Sequence, residues 1–166
     1  MNMTMCSAAV SKSSIYSVVR MLQLPGILPD WPQHCDILMI CLQASLEFQA
    51  ATASLADIFA IGMPGSDARI QACGGVQLLT QLMSHGPPGV QGPATAALAA
   101  LCAPSLATSQ ASCQNVLSSD ALHYLGALLD ASDLRTRTSV LALLCPLSWQ
   151  GPEASRAISA IIGLYR

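Results

Sequence analysis

Cysteine and histidine are the residues in this sequence that could do chemistry, and their spacing decides whether they do. His34, Cys35 and Cys41 form the densest group of potential metal ligands. A structural zinc site needs four ligands, usually with cysteines in closely spaced pairs. The sequence contains no such pair. We therefore expect these side chains to be ordinary core or surface groups, with no metal site.

Catalysis by a cysteine nucleophile has no better support. Such a nucleophile needs a thiolate beside a basic group. His85 falls in a Gly/Pro turn and His123 in a predicted helix, and nothing in the sequence orients either ring toward a cysteine. Glycine-rich phosphate-binding motifs are absent as well. The sequence therefore predicts a non-catalytic protein without a cofactor.

The composition narrows the class of protein further. Of the 166 residues, 52% are hydrophobic and only 10% are charged, against about 25% charged residues in an average domain. Such a chain can build a core and is not expected to be disordered. Lys and Arg number 7 against 9 Asp and Glu, with no basic stripe, which argues against nucleic-acid binding. Every apolar run is broken before it could span a membrane, so a membrane partner is not expected.

Cysteine usage indicates the compartment. The chain has seven cysteines, an odd number whose spacing matches no short disulfide framework. We therefore predict a reducing, cytoplasmic location. The first 29 residues, which carry Lys12 and Arg20 but no acid, leave an organellar location as the alternative. A polar, frayed start to the first helix explains the same residues.

An internal repeat organises the chain. The segments 51–60 and 94–103 lie 43 residues apart and are identical at six of ten positions. The same apolar pattern returns after another 43 residues, so that Leu98 aligns with Leu141 and Leu101 with Leu144. Each copy has apolar residues at helical spacing. We predict residues 1–12 as a flexible N-terminus and 13–166 as one domain, with repeats at 13–62, 66–104 and 107–149 and an incomplete repeat at 151–166.

The pattern predicts helices throughout and no strands. Pro93 is expected in the first turn of its helix, where a missing N–H costs little, and Pro146 is expected to end or kink its own. Ser118, Ser119 and Asp120 form a helix-start cluster. The predicted helices are 13–24, 32–42, 45–61, 68–72, 76–83, 90–102, 107–116, 121–129, 134–144 and 153–165.

The segment 67–103 resembles an armadillo repeat. It has a short first helix, the Gly74-Gly75 corner, a second helix at 76–83, a Gly/Pro turn and an Ala/Leu-rich third helix. The glycine pair is the most specific feature, because a sharp corner between helices needs a residue that tolerates positive φ. The resemblance covers roughly residues 45–150, and the 43-residue interval fits the family's length of about 40–47.

The resemblance implies an all-α, right-handed solenoid whose third helices line a concave, protein-binding groove. Family members that grip extended basic peptides carry Trp and Asn ladders on these helices. Here the Trp position holds small residues, and the Asn position holds none of the expected amides. Those ladders are absent, so a hydrophobic helix-in-groove mode is favoured. The Trp position corresponds to Ala53, Ala96 and Ser139, and the Asn position to Asp57, Ala100 and Leu143.

Four further residues have two interpretations each. Asp57 is either a groove contact for a partner's basic residue or a solvated helix position. Arg135 and Arg137, near Asp130 and Asp133, form either an exposed turn or a polar rim for a partner. Trp149 is either a binding hot spot or a side chain that packs in the core or staples a turn.

The sequence thus favours an armadillo-type scaffold that binds another protein or peptide through the concave face. Candidate partner-binding residues are Asp57, Ala96, Ala100, Arg135, Arg137, Ser139, Leu143 and Trp149. The alternative is part of a longer helical array with a structural role. In that alternative, the apolar helix predicted at 153–165 would mediate self-association, because it lacks the polar outer face of a terminal repeat.

Overall fold

The computed structural model describes residues 65–72, 74–130 and 133–164, and between its turns this part of the chain is entirely helical. The all-α prediction is confirmed there. The predicted flexible start, the first predicted repeat and Asp57 lie outside the described residues. The helices are α1 (Ser66–Ala72), α2 (Gly75–His85), α3 (Pro88–Leu101), α4 (Ser109–Leu117), α5 (Ala121–Leu129), α6 (Leu134–Ser148) and α7 (Pro152–Leu164).

The corner between α1 and α2 depends on a glycine, as predicted. Gly74 has a φ of 75°, in the left-handed region that a Cβ disfavours. Its carbonyl oxygen then accepts from the N–H of Leu78 at 3.2 Å, within the first turns of α2. The corner lets α2 bury Val76, Leu79 and Met83, none of which is exposed to solvent.

Two prolines lie deeper inside helices than predicted. The expectation that Pro93 falls in a first turn is wrong, because α3 begins at Pro88 and Pro93 is its sixth residue. Pro146 does not end its helix, since α6 continues to Ser148. Burial of Leu147, which is fully buried, helps to offset the missing hydrogen bond.

Helices at corresponding places of the predicted 43-residue repeats pack on each other. Helices α3 and α6 lie side by side, and α2 and α5 are also in contact. The C-terminal helix α7 packs on α5 and α6, with Ile158 as its buried residue. Leu101 and Leu144, which the repeat aligns, are both buried. The 43-residue interval therefore corresponds to a repeated packing role at this position.

The end of α3 is joined to α4 by a buried cysteine and serine cluster. The Ser109 hydroxyl donates to the Cys102 carbonyl oxygen at 2.7 Å, and the Cys113 thiol lies 3.9 Å from the same oxygen. A hydrogen bond with the Cys113 thiol, together with burial, raises the pKa of Cys102. Cys102 therefore remains a protonated thiol at neutral pH and behaves as a small apolar side chain.

One polar contact joins the start of α1 to the start of α4. The Thr108 hydroxyl donates to the Asp67 carboxylate at 2.7 Å, and Asp67 is buried. This hydrogen bond holds the pKa of Asp67 below its ordinary value of 3.8, although burial acts in the opposite direction. The bond spans 41 residues of sequence, so it holds the start of α1 against the start of α4.

We expect Asp67→Asn to lower the free energy of unfolding at neutral pH by about 1 kcal/mol, the difference between a charge-assisted and a neutral hydrogen bond. Because the folded pKa is the lower one, the stabilisation by Asp67 is present above pH 3.8 and is lost as the pH falls through the folded pKa. Urea titrations across acidic pH should show a shallower acid loss for the variant. The exposed Asp130→Asn is the control, and an equal effect of both variants would contradict the account.

Candidate functional site

A groove of about 710 Å³ runs between α3 and α6. Most of its wall is made of small side chains or bare backbone, and its charged residues come from the start of α6. The groove is lined by Gly89, Gly92, Pro93, Ala96, Ala99, Asp133, Leu134, Arg135, Thr138, Ser139 and Ala142. This is the candidate functional site, and we refer to it as the α3–α6 groove.

Gly92 sets how closely the two walls approach. A Cβ at this position would collide with the hydroxyl of Thr136 on α6. Thr136 is stiff at χ1, and its hydroxyl already donates to the Asp133 carboxylate at 2.9 Å. The absence of a side chain at Gly92 therefore allows α3 and α6 to lie close together beneath the groove.

The polar end of the groove is fixed by the N-terminus of α6. The Asp133 carboxylate accepts from the backbone N–H groups of Arg135 at 3.2 Å and Thr136 at 3.1 Å. The side-chain hydrogen bond from Thr136, followed by the two backbone N–H groups, lowers the pKa of Asp133. Asp133 therefore stays ionised and acts as the helix cap, with the exposed Arg135 beside it.

The two in-helix prolines alter the hydrogen bonding of the groove wall. Proline has no N–H, so Pro93 offers no donor to the carbonyl oxygen of Gly89, four residues earlier. Pro146 likewise offers none to the carbonyl oxygen of Ala142. Both carbonyl groups belong to groove-lining residues, one on each wall. The carbonyl oxygens of two groove-lining residues therefore lack their usual i+4 donor.

The structure brings three of the predicted site residues together. Ala96, Arg135 and Ser139 all line the α3–α6 groove. Ala96 and Ser139, which correspond to the family's Trp position, are half-buried on facing walls of the groove. Their small side chains leave the space between the walls open.

The other predicted residues lie elsewhere. Leu143 is fully buried in the core and presents no surface to a partner. Ala100 is half-buried and packs against the same core. Arg137 is exposed on α6 but does not line the groove. Trp149 is 68% exposed at the end of α6, so the alternative that places it in the core is wrong.

The sequence reasoning missed the residues that complete the two walls. The third helices present Ala99 and Ala142 to the groove, one residue before the expected Ala100 and Leu143. The core stripe of α6 explains the difference, because Thr136, Val140, Leu143 and Leu147 recur at helical spacing and are buried. A run of small residues at Gly89, Gly92, Ala96 and Ala99, also at helical spacing, was the available signal.

The remaining chemical candidates form no second site within the described ranges. The Tyr124 hydroxyl lies 3.3 Å from Nε2 of His85, and the His123 ring contacts the Tyr124 ring edge-on. No three His, Cys, Asp or Glu side chains are gathered there as a metal would require. His34, Cys35 and Cys41 lie outside those ranges. Among the helices α1 to α7, none has the length and hydropathy needed to cross a bilayer.

Comparison with known proteins supports the fold alone. No protein-family model and no curated protein matches the sequence. Two crystal structures of engineered proteins from the Northeast Structural Genomics Consortium are similar to this chain, with TM-scores of 0.65 and 0.59 at 17% and 18% identity. Each match covers 91% of this chain, which spans 61% of the first protein and 41% of the second.

Proposed function

We propose that this protein is a non-catalytic scaffold that binds a segment of another protein in the α3–α6 groove. In this proposal the two described repeats stack as an armadillo-like solenoid, with α3 and α6 as the third helices that face the partner. The observation that carries the proposal is the open groove between these helices, whose walls include Gly89, Ala96, Ala99 and Ala142.

The chemistry of the groove indicates the kind of segment that fits. Small side chains leave room between the helices, so the partner must supply the bulk, as an amphipathic helix does with apolar residues along one face. Arg135 at the polar end favours an acidic residue there.

A selection experiment tests the proposal. A library of helical peptides displayed on phage is selected against the wild-type protein, and affinities are measured by fluorescence anisotropy. We expect Ala96→Glu to weaken binding at least about tenfold, because a carboxylate would occupy the space needed by apolar side chains and would be buried with them, a loss of about 1.4 kcal/mol or more.

The matched control is Ala154→Glu on α7, where the alanine is also half-buried but does not line the groove. Circular dichroism must show the same helical content for both variants. Selected peptides should be apolar on one face and should bind the control as they bind the wild type. The proposal fails if no peptide is selected, or if the selected peptides bind Ala96→Glu and Ala154→Glu equally well.

A further inference from the structure

A second apolar surface lies on α6, beside the groove. Leu134, Leu141 and Trp149 are 69%, 54% and 68% exposed, and Cys145 is exposed between the last two. These four residues, with Thr138, follow one another at helical spacing and form a continuous line along the helix. Its first two members, Leu134 and Thr138, also line the α3–α6 groove. We call this surface the α6 stripe.

The equivalent line on α3 is covered. Forty-three residues earlier, Leu98 and Cys102 occupy the positions of Leu141 and Cys145, and both are fully buried. Cys102 is buried against α4, where the Ser109 hydroxyl donates to its carbonyl. These two positions of the repeat are therefore buried on α3 and exposed on α6, although α7 packs on α6 as α4 packs on α3. This difference marks the stripe as a surface suited to pack against a helix.

The hydroxyl groups in the stripe, at Thr138, and beside it, at Ser148, do not oppose such packing. The Thr138 hydroxyl donates to the Leu134 carbonyl oxygen at 2.8 Å, and the Ser148 hydroxyl donates to that of Cys145 at 2.7 Å. Both hydroxyl donors are thus used within α6 itself. Covering the stripe leaves neither donor unpaired, which removes the main cost of burying polar side chains.

We propose that the α6 stripe docks onto the same stripe of a second copy of this chain, with the two α6 helices antiparallel. The order of side chains along the stripe favours a second copy in this antiparallel orientation. A two-fold axis beside Leu141 pairs Leu134 of each copy with Trp149 of the other and Thr138 with Cys145. Each large apolar residue at one end of α6 therefore meets one from the opposite end, as a self-complementary interface requires.

The charges along α6 favour the same orientation. Its cations, Arg135 and Arg137, lie near the N-terminus, and its last turn contains no basic residue. Antiparallel pairing brings these cations toward the negative end of the other copy's helix dipole. Parallel pairing would instead place the arginines of both copies together, where like charges repel.

The size of the stripe sets the expected strength. The 15 residues of α6 span ~22 Å along the helix axis. One helix pair of this length buries less than the roughly 1,200 Å² typical of stable complexes. Trp149, with about two-thirds of its surface exposed, is the natural anchor at each end. We therefore expect a weak dimer that forms at micromolar concentration.

Sedimentation velocity over a range of protein concentrations tests the dimer. Wild type is expected to shift from monomer to dimer as concentration rises. Leu141→Glu should weaken this association at least about tenfold, since it places two carboxylates near the axis. The matched control, Ala127→Glu, alters an exposed residue of α5 and should dimerise as wild type does. Trp149→Ser provides a second test if Leu141→Glu changes the circular dichroism spectrum.

Cross-linking tests the orientation. Cys145 and the four cysteines outside the described residues (Cys6, Cys35, Cys41 and Cys73) are first replaced by serine. In this background, with a short bismaleimide, Leu141→Cys should link to itself, whereas Leu134→Cys should link efficiently only to Trp149→Cys in a mixed sample. A wild type that stays monomeric at all concentrations would overturn the proposal. So would larger assemblies, a dimer unaffected by both stripe variants, or self-linking at Leu134→Cys. Leu134 and Thr138 belong to both surfaces, so dimerisation and peptide binding should compete. Ala96→Glu changes the opposite wall of the groove, on α3, and should dimerise normally.

Discussion

Replacing Leu143 with alanine is expected to lower the free energy of unfolding by about 2–5 kcal/mol, the range for a fully buried leucine that leaves a cavity. Leu143 has no solvent exposure and belongs to the core stripe of α6. The sequence alone placed it at the binding surface, so this variant separates the two assignments. Urea denaturation followed by circular dichroism at 222 nm, the wavelength of the helix signal, gives the value.

The control for this prediction lies two residues away on the same helix. Leu141→Ala makes the same chemical change where the side chain is 54% exposed. We expect an effect within about 0.5 kcal/mol when the protein is dilute enough to be monomeric. A larger loss for Leu141→Ala than for Leu143→Ala would show that α6 is rotated about its axis relative to the structure described above.

Gly92→Leu is expected to lower the free energy of unfolding by about 1–3 kcal/mol, the usual cost of overpacking a core. Even a Cβ at this position collides with the Thr136 hydroxyl. A leucine must therefore push α3 away from α6 or break the hydrogen bond from Thr136 to Asp133. Because the groove lies above this contact, peptide binding should weaken together with stability. Urea titration and anisotropy on the same variant measure both effects.

Gly163→Leu on α7 is the matched control, since an added Cβ there meets no atom within 4 Å. Leucine is a better helix former than glycine, so this change should raise stability by up to about 0.5–1 kcal/mol. In a double-mutant cycle, adding Thr136→Ala should restore part of the free energy of unfolding that Gly92→Leu loses. The same addition should show no coupling with Gly163→Leu. Equal effects at the two glycines would contradict the close α3–α6 contact.

The local features of the fold could be predicted well from the sequence. The bounds of α5 at Ala121 and Leu129 agree with the prediction, because Ser118, Ser119 and Asp120 favour a helix start and the apolar run sets the length. The left-handed glycine at Gly74 was also predicted. Pro93 was misplaced, and Pro146 does not end its helix, because tertiary packing overrides local preference, as the fully buried Ala94 and Leu147 beside them show.

The candidate site was harder to predict, because exposure depends on neighbours that a repeat alignment does not contain. Leu98 and Leu141 share one repeat position, yet the first is fully buried and the second is more than half exposed. Likewise, a shift of one residue along α6 exchanges the groove position of Ala142 for the core position of Leu143. Position within a repeat therefore identified the helices that line the candidate groove but not the face that each presents to it.

Amide chemical-shift mapping is the most direct test of the proposed binding site. A peptide selected against the wild type is titrated into ¹⁵N-labelled protein, and the shifts of backbone amides are recorded. If the peptide binds in the α3–α6 groove, the largest shifts should occur at the amides of its facing walls, Ala96, Ala99, Ser139 and Ala142. Changes confined to α2, α5 or α7, with these groove residues unaffected, would contradict binding in the groove.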